Sequence, residues 1–171
     1  FDKTGTLTEG HPELTEIEPE PGFAADDILR LAAAAEARSE HPLARAIVAA
    51  AQARGLSLPD ADGVEARPGR GLAAMVEGQR LLVGNRRALE EAGIAADHLA
   101  ARVNALAAEG RTPILVALNG STVAVLAVAD PIKQGAAEAV AALHRAGLKT
   151  AMISGDARAT AEAVARRLGI D

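Results

Sequence analysis

The chain has 171 residues, carries a formal net charge of −5 and contains no cysteine, tyrosine or tryptophan. This length suits one compact domain or a small pair of domains. The lack of cysteine excludes a disulfide framework and a thiolate metal site, and the absence of a basic stripe argues against nucleic-acid binding. No run reaches the roughly 18 apolar residues that a membrane-spanning helix needs.

The first predicted elements are a strand end and two helices. Residues 1–2 fit the carboxyl end of a strand, and such a strand normally needs about five residues, so we read the chain as part of a longer polypeptide. Prolines and a glycine between residues 12 and 22 predict an exit into a second unit. Paired aspartates then begin a helix over about 26–36, and a proline begins another over about 42–54.

The middle of the chain is predicted to contain two β-hairpins. Short apolar runs flank the turn dipeptides Glu77-Gly78 and Asn119-Gly120. The four strands are expected at 71–76, 79–83, 114–118 and 123–129. Two helices are expected between the hairpins, near 86–91 and 96–109.

The last part of the chain alternates between helix and strand. A helix is expected over about 133–145, a strand over 149–153 and a helix over about 158–168. Because this unit matches the opening strand end in type, we predict an α/β domain that is split in sequence into residues 1–9 and 130–171. Residues 10–129 would form an inserted α+β domain, an antiparallel sheet flanked by helices.

The opening octet, FDKTGTLT, is the most informative motif. It places Asp2 at a strand end, beside the cation of Lys3 and a Thr-Gly-Thr turn with exposed amides. A carboxylate in that setting can attack a phosphoryl group and hold it covalently. The alternative is an ordinary polar turn that Asp2 caps.

A second candidate site follows the last predicted strand. Ser154, Gly155 and Asp156 stand at its carboxyl end, just before a helix. Open α/β sheets bind ligands at that edge, and a helix start offers free N–H groups to an anion. Ser154 could then bond a phosphoryl oxygen while Gly155 lets the backbone approach. By itself the tripeptide is more often a helix cap.

The inserted region carries three short motifs that could form a nucleotide pocket. Glu36 precedes Ser-Glu-His-Pro, which places His41 at a helix start, where the dipole and desolvation favour a neutral ring. A neutral imidazole can pack on adenine, although a histidine beside proline is more often only a helix-start residue. The other two motifs are Gly69-Arg70-Gly71-Leu72 and Gly84-Asn85.

In this order the motifs resemble those of the heavy-metal-transporting P-type ATPases, a branch of the haloacid dehalogenase superfamily. The resemblance covers essentially the whole chain. It implies that Asp2, beside Lys3, takes the γ-phosphate of ATP, and that Asp2 and the Thr4 carbonyl bind Mg²⁺. The segment 154–156 resembles the family's Thr-Gly-Asp motif, with serine keeping the hydroxyl and Ala157 standing where asparagine is usual.

The resemblance also assigns roles within the inserted domain. Glu36 and His41 would meet the adenine, the glycines at 69 and 71 would let the nucleotide lie close to the backbone, and Gly84-Asn85 would complete the wall, with Leu72 in the same pocket motif. The segment 130–133, Asp-Pro-Ile-Lys, resembles the Asp-Pro-x-Arg return to the phosphorylation domain. Asp130 would steady the nucleotide or the hinge, and Lys133 would contact phosphate or be solvated.

The fold implied by the resemblance is α/β. A split, Rossmann-like phosphorylation domain of haloacid dehalogenase type, incomplete in this chain, would carry the nucleotide-binding domain as an insertion. The intact protein would export a metal ion, with copper the leading expectation, across a bacterial inner membrane. This chain, soluble by itself, would lie on the cytosolic side, with ATP and the remaining domains of its polypeptide as partners and the transported ion bound elsewhere.

Other functions fit parts of the pattern. A soluble phosphatase of the same superfamily would also use Asp2, with the insertion as a substrate cap, but such enzymes normally carry a second aspartate where Thr4 stands. A non-catalytic nucleotide-binding module would bind ATP without regard to Asp2. Because the family's catalytic lysine and Gly-Asp-Gly-x-Asn-Asp motif lie outside these residues, we expect this chain to bind ATP weakly without completing a phosphorylation cycle.

Overall fold

The computed structural model describes all 171 residues. One six-stranded antiparallel sheet, in the order β1-β6-β5-β4-β3-β2, forms most of the molecule. The strands are β1 (Glu13–Pro19), β2 (Ala61–Arg67), β3 (Gly71–Val76), β4 (Gln79–Gly84), β5 (Thr112–Leu118) and β6 (Ser121–Ala129). The helices are α1 (Ala25–Glu36), α2 (Pro42–Ala53), α3 (Arg86–Glu91), α4 (Ala100–Ala108), α5 (Ala136–Arg145) and α6 (Arg158–Leu168).

The alternation of side chains along the strands divides the core into two layers. On one face, Leu72, Val83 and Leu126 belong to an apolar cluster that includes the buried sides of α1 and α2. On the other face, Leu82 and Leu115 pack with residues of α3 and α4. The central strands are therefore buried on both faces.

The two ends of the chain form a smaller unit beside the sheet. We refer to residues 1–9 and 130–171 as the terminal part and to residues 10–129 as the sheet part. A small apolar cluster of Leu7, Ala136, Val164 and Leu168 joins the opening turn to α5 and α6. Helix α6 also packs against α4, and the buried hydroxyl of Thr160 donates to the Arg111 carbonyl at 3.1 Å.

Most of the predicted elements are confirmed. Both hairpins form, and both turn dipeptides have positive φ angles, 50° and 74° at Glu77-Gly78 and 49° and 87° at Asn119-Gly120. Positive φ at both central residues is what a type I′ hairpin turn requires. Helices α1, α2, α3 and α6 lie within one residue of the expected bounds.

Two strands were not predicted, because each is an edge strand interrupted by a register shift. Strand β1 lies where we expected only an exit from the first unit, and a shift between Leu14 and Glu16 breaks its alternation. Leu14 and Ile17 therefore both pack on the same core despite their odd spacing. Strand β2 is mostly exposed and carries a shift between Asp62 and Glu65.

Three boundaries in the rest of the chain differ from expectation. The predicted strand at 149–153 is reduced to one parallel bridge, between Asp2 and Ile153, because the chain turns away directly after Asp2. Helix α5 begins at Ala136 instead of residue 133, since Gly135 has a φ of 84° and cannot continue a helix. The helix expected over 96–109 is divided into a 3₁₀ turn at Asp97–Leu99 and α4.

Two glycines face each other at the end of the β3–β4 hairpin that lies away from its turn. Gly71 pairs with Gly84, and a Cβ atom on Gly71 would lie 2.0 Å from the Val83 carbonyl oxygen. A Cβ on Gly84 would lie 2.4 Å from the Arg70 oxygen. The two backbones therefore approach too closely for any side chain at either position.

We expect Gly71→Ala to lower the free energy of unfolding by about 3 kcal/mol, because the new methyl group meets backbone that cannot move aside. Gly69→Ala is the matched control, since its φ of 69° is also positive but a Cβ there would meet nothing within 4 Å. Its cost should be about 1 kcal/mol. Urea unfolding of both variants measures the difference, and equal losses would contradict the steric explanation.

Candidate active site

Asp2 lies where the two ends of the terminal part meet. The Ile153 amide donates to the Phe1 carbonyl at 2.7 Å, and the Lys3 amide donates to the Ile153 carbonyl at 3.0 Å. This parallel pairing sets Asp2 and Ser154 at the ends of neighbouring extended segments, although 152 positions separate them in sequence. Asp2 is exposed at this edge. The structure therefore brings the two predicted phosphoryl-binding motifs together.

Lys3 and Asp156 form an ion pair beneath this edge. The Lys3 side chain is only 9% exposed, and the Asp156 side chain is 21% exposed. Oδ2 of Asp156 has no hydrogen-bond partner of regular geometry, so its contact with the ammonium is its main compensation for burial. Removing one member of a buried pair leaves the other charge uncompensated. Lys3 thus ties Asp156, in the turn after Ser154, to the segment that carries Asp2.

Ser154 orders the turn that leads into α6. Its Oγ accepts from the Asp156 amide at 3.1 Å, and its own O–H donates to no group of the chain. That hydroxyl hydrogen is free for a ligand. Gly155 has nothing within 4 Å of its Cβ direction, so the space above this turn is open.

The opening turn is held from inside by Thr8, a residue that the sequence reasoning did not single out. The Lys3 carbonyl accepts from the Thr8 amide at 3.1 Å, and the fully buried Oγ of Thr8 lies 3.1 Å from the same carbonyl oxygen. Oγ of Thr8 also accepts from the Gly5 amide at 3.3 Å. Its place at the end of the octet was the only sequence signal for this role.

Asp2 and Thr4 present the oxygen atoms that a Mg²⁺ ion would need. Thr4 is exposed and has an extended backbone, with φ −73° and ψ 124°, inside the turn. Carboxylate and carbonyl oxygens suit this hard cation, which usually keeps several water or phosphate ligands as well. The structure contains no cluster of three or more histidine, aspartate or glutamate side chains that could hold a metal ion. The donors present therefore fit a site that substrate phosphate completes.

Asp130 clamps the two crossings between the terminal part and the sheet part. Its Oδ1 accepts from the amides of Gly10 at 2.9 Å and His11 at 3.1 Å, and its Oδ2 accepts from the Thr8 hydroxyl at 2.5 Å. The Glu9 amide also donates to the Pro131 carbonyl at 2.8 Å. Both carboxylate oxygens are thus used within the chain, which favours the hinge alternative for Asp130.

Glu36 is a buried carboxyl group at the last residue of α1. Its residue exposure is 8%, and burial raises its pKa to about 7, against the lowering effect of a hydrogen bond with the Ser39 side chain. No cation pairs with it. Among the buried residues, only Lys3 and Glu36 have ionisable side chains, and both belong to the predicted sites. A buried carboxyl group with a raised pKa, such as that of Glu36, is typical of functional sites.

His41 is exposed and caps the start of α2. Its Nδ1 accepts from the Leu43 amide at 3.2 Å. Because Nδ1 serves as an acceptor, the neutral ring carries its proton on Nε2, which is left free to donate. The predicted position at a helix start is confirmed.

The second and third nucleotide motifs form one unit. The Asn85 side chain donates to the Gly69 carbonyl at 2.8 Å and accepts from the Ala88 amide at 3.1 Å, so it joins the loop before β3 to the start of α3. Leu72 is buried in the same apolar cluster as Ala35, the residue before Glu36. No hydrogen bond or ion pair connects Glu36 or His41 directly to Gly69 or Asn85.

Two clefts lie away from these groups. One, of about 270 Å³, opens on the opposite sheet face, where Ala73, Leu82 and Ile94 line it. The other, of about 550 Å³, lies at the hinge and includes Asp130 and Arg167 in its wall. Neither is lined by Glu36, His41, Gly69 or Asn85, so cleft volume does not mark the nucleotide site.

Residues 1–171 match the sequence family of the haloacid dehalogenase-like hydrolases, and the chain belongs to this family. Its relatives identify a branch of that family. The chain is 48% identical over 171 residues to the copper-transporting ATPase 2 of Rhizobium meliloti (strain 1021), with 100% of the chain and 21% of that protein covered. It is 46% identical over 169 residues to the copper-exporting P-type ATPase of Legionella pneumophila, covering 99% and 23%.

Solved structures give the same result. A zinc-transporting PIB-type ATPase in its E2.Pi state matches with a TM-score of 0.78 at 38% identity, over 100% of this chain and 28% of that one. The N-domain of HMA6, a copper-transporting P-type ATPase, matches with a TM-score of 0.58 at 31% identity, over 69% of this chain and 98% of that one. The resemblance to heavy-metal P-type ATPases and the α/β fold class are confirmed. The chain spans about a fifth of the length of the curated relatives it matches.

The buried carboxyl group of Glu36 predicts a particular pH dependence of stability. Its pKa is about 7 in the folded protein, against 4.5 as the ordinary value for the unfolded chain. Between pH 4.5 and 7 the folded state holds a proton that the unfolded state has lost, so stability falls as pH rises, by at most about 3 kcal/mol. Below pH 4.5 both states are protonated, and above pH 7 the loss is complete.

In Glu36→Gln this fall should be absent, because the amide is neutral throughout. Urea unfolding at pH 5, 6, 7 and 8 tests this, with the exposed Glu40→Gln as the control that keeps the wild-type slope. A wild-type slope in Glu36→Gln would show that other groups cause the dependence.

Proposed function

We propose that this chain is the ATP-binding and phosphorylation segment of a heavy-metal-exporting P-type ATPase and forms an aspartyl phosphate on Asp2. The observation that carries the proposal is the convergence of the exposed Asp2 with Ser154 at one edge, together with the ion pair of the buried Lys3 and the half-buried Asp156. Relatives that match across the whole chain are named as copper- and silver-exporting P-type ATPases, which supports it.

The chemistry is a single phosphoryl transfer. A carboxylate oxygen of Asp2 attacks the γ-phosphorus of ATP, the bond from that phosphorus to the β,γ-bridging oxygen breaks, and ADP leaves with the electron pair. The free O–H of Ser154 donates to a phosphoryl oxygen. Mg²⁺, held by Asp2 and the Thr4 carbonyl, would neutralise charge on the phosphates. Thr4 has no carboxyl group, so it cannot act as the general acid of a phosphatase.

The nucleotide would lie where α1 ends at Glu36 and α2 begins after His41. The chain has no tyrosine or tryptophan, and neither Phe1 nor Phe23 belongs to the predicted pocket motifs, so the exposed ring of His41 would stack on adenine. Glu36, about half protonated near pH 7, can offer either a donor or an acceptor to the base edge. The open space at Gly69, in a loop fixed by Asn85, would admit the nucleotide close to the backbone.

We also propose the domain division at residues 1–9 with 130–171 and at 10–129. The match of an isolated N-domain to 69% of this chain supports it, as does the clamp of Asp130 at the crossing. The terminal part would be the phosphorylation domain. The chain would lie on the cytosolic side of a membrane, joined to the other domains of its polypeptide. The copper-transporting names of its relatives favour copper as the transported ion. No helix of the structure itself is long and apolar enough to span a bilayer.

His41→Gln is expected to weaken binding of AMP-PCP to this chain about tenfold, because a base stacked on an aromatic ring contributes roughly 1–3 kcal/mol. His41→Asn separates stacking from helix capping, since an asparagine oxygen can still accept from the Leu43 amide. It should keep wild-type stability and bind as weakly as His41→Gln. Calorimetry measures both, with the exposed His98→Gln as the control. Binding that ignores His41, or that is equally strong for the guanine analogue, would contradict this pocket.

In the complete ATPase that carries this segment, Asp2→Asn should abolish the acid-stable, hydroxylamine-sensitive label from [γ-³²P]ATP, because an amide cannot form an acyl phosphate in its place. Asp60→Asn, an exposed aspartate outside the site, should label as the wild type does. Nucleotide binding should survive in both variants. A label that persists in Asp2→Asn would place the phosphorylated residue elsewhere.

A further inference from the structure

We propose that Lys133 is a positioning residue that holds the turn carrying Asp2, through the carbonyl of Gly5, and that it does not bind the nucleotide. The inference rests on the proposed function for its kinetic consequence, but the structural contact stands independently. Its basis is one hydrogen bond across 128 positions of the chain: the Lys133 ammonium donates to the Gly5 oxygen at 2.6 Å.

The surroundings of Lys133 give its ammonium group no competing partner. It forms no ion pair and no other side-chain hydrogen bond, and the residue is half-buried. Its backbone is fixed as well, because the Lys133 amide donates to the Leu7 carbonyl at 3.0 Å. A charged donor makes a stronger hydrogen bond than a neutral one, which offsets part of the rotamer entropy that an ordered lysine side chain loses. The side chain is thus committed to the turn.

The Gly5 carbonyl is a point at which the turn needs support. Thr4 is extended and Gly5 has a φ of 76°, so two successive residues depart from helical geometry inside a five-residue turn. Thr8 holds the inner side of this turn through the Lys3 carbonyl and the Gly5 amide. The ammonium of Lys133 binds the carbonyl oxygen of Gly5, on the other side of that residue. Gly5 is therefore fixed at both its N–H and its C=O.

The position of Lys133 in the chain gives this contact a further consequence. Asp130 and Lys133 belong to the same four-residue segment, which follows directly on β6. Asp130 binds the residues that leave the turn, at 8, 10 and 11, while Lys133 binds the turn itself. A rotation of the sheet part about this crossing would be transmitted to the backbone beside Asp2. The geometry of the nucleophile and the position of the sheet part are therefore mechanically linked.

The first test needs no nucleotide. In ¹H–¹⁵N spectra of this chain, Lys133→Met should shift or broaden the amides of residues 5–7, and Lys133→Arg should restore them, because a guanidinium can donate to the same carbonyl. Lys149→Met is the matched control, since Lys149 is exposed and makes no contact with the turn. Unchanged amides in Lys133→Met would overturn the proposal in favour of a solvated lysine. Should Lys133→Met not fold, the amides of Lys133→Gln take its place.

The second test separates positioning from nucleotide binding. In the complete ATPase, Lys133→Met should slow phosphorylation of Asp2 about tenfold to a hundredfold, as small misplacements of a reacting group do, while the Kd for AMP-PCP stays within twofold of wild type. Lys133→Arg should recover most of the rate. A rise in Kd that is seen for AMP-PCP but not for adenosine would identify Lys133 as a phosphate ligand and overturn the proposal. If Asp2→Asn still labels, the proposed function fails, whereas the amide shifts remain a valid measure of the contact.

Discussion

The carboxylate of Asp130 is the constraint on which the arrangement of the molecule depends. The chain crosses between its terminal part and its sheet part twice, at residues 8–11 and at 129–132, and Asp130 binds three donors of the first crossing from within the second. These are charge-assisted bonds that fix the direction of both crossings at once. Away from the crossings, the two parts also meet where α6 packs against α4 and the Thr160 hydroxyl donates to the Arg111 carbonyl.

The clamp has a direct effect on the chemistry. Asp2 lies next to Ser154 only because residues 1–3 pair with Ile153. The turn that follows Asp2 must then reach the first crossing within five residues. Thr8 ends the turn that follows Asp2 and also donates to Asp130, so this turn and the first crossing share one residue. Movement of the sheet part and alignment of Asp2 cannot be independent in such a structure. In the proposed phosphoryl transfer from a nucleotide at the sheet part to Asp2, this sharing would link the two parts.

The two buried ionisable side chains show two different ways of tolerating burial. Lys3 is paired with Asp156, so the charges compensate each other and Asp156 is held beside the segment that carries Asp2. Glu36 has no cation beside it, and burial instead raises its pKa to about 7, so that its proton compensates. The first arrangement favours a rigid site. The second leaves a carboxyl group whose charge can respond to a ligand at the sheet face.

The sequence by itself determined the local elements and predicted the chemistry of the candidate sites. Turn dipeptides predicted both hairpins, helix starts predicted α1 and α2, and the octet with Ser154-Gly155-Asp156 predicted a phosphoryl-transfer edge, because these signals lie within a few adjacent residues. Tertiary structure alone decided the rest. Strand β1 forms because it pairs with β6, and a bulge in β1 breaks the alternation that would have predicted it from sequence. Gly71 must be glycine because the Val83 carbonyl of the facing strand occupies the space of a side chain. The roles of Thr8, Asp130 and Lys133 depend on contacts between segments more than 100 residues apart, which no local pattern encodes.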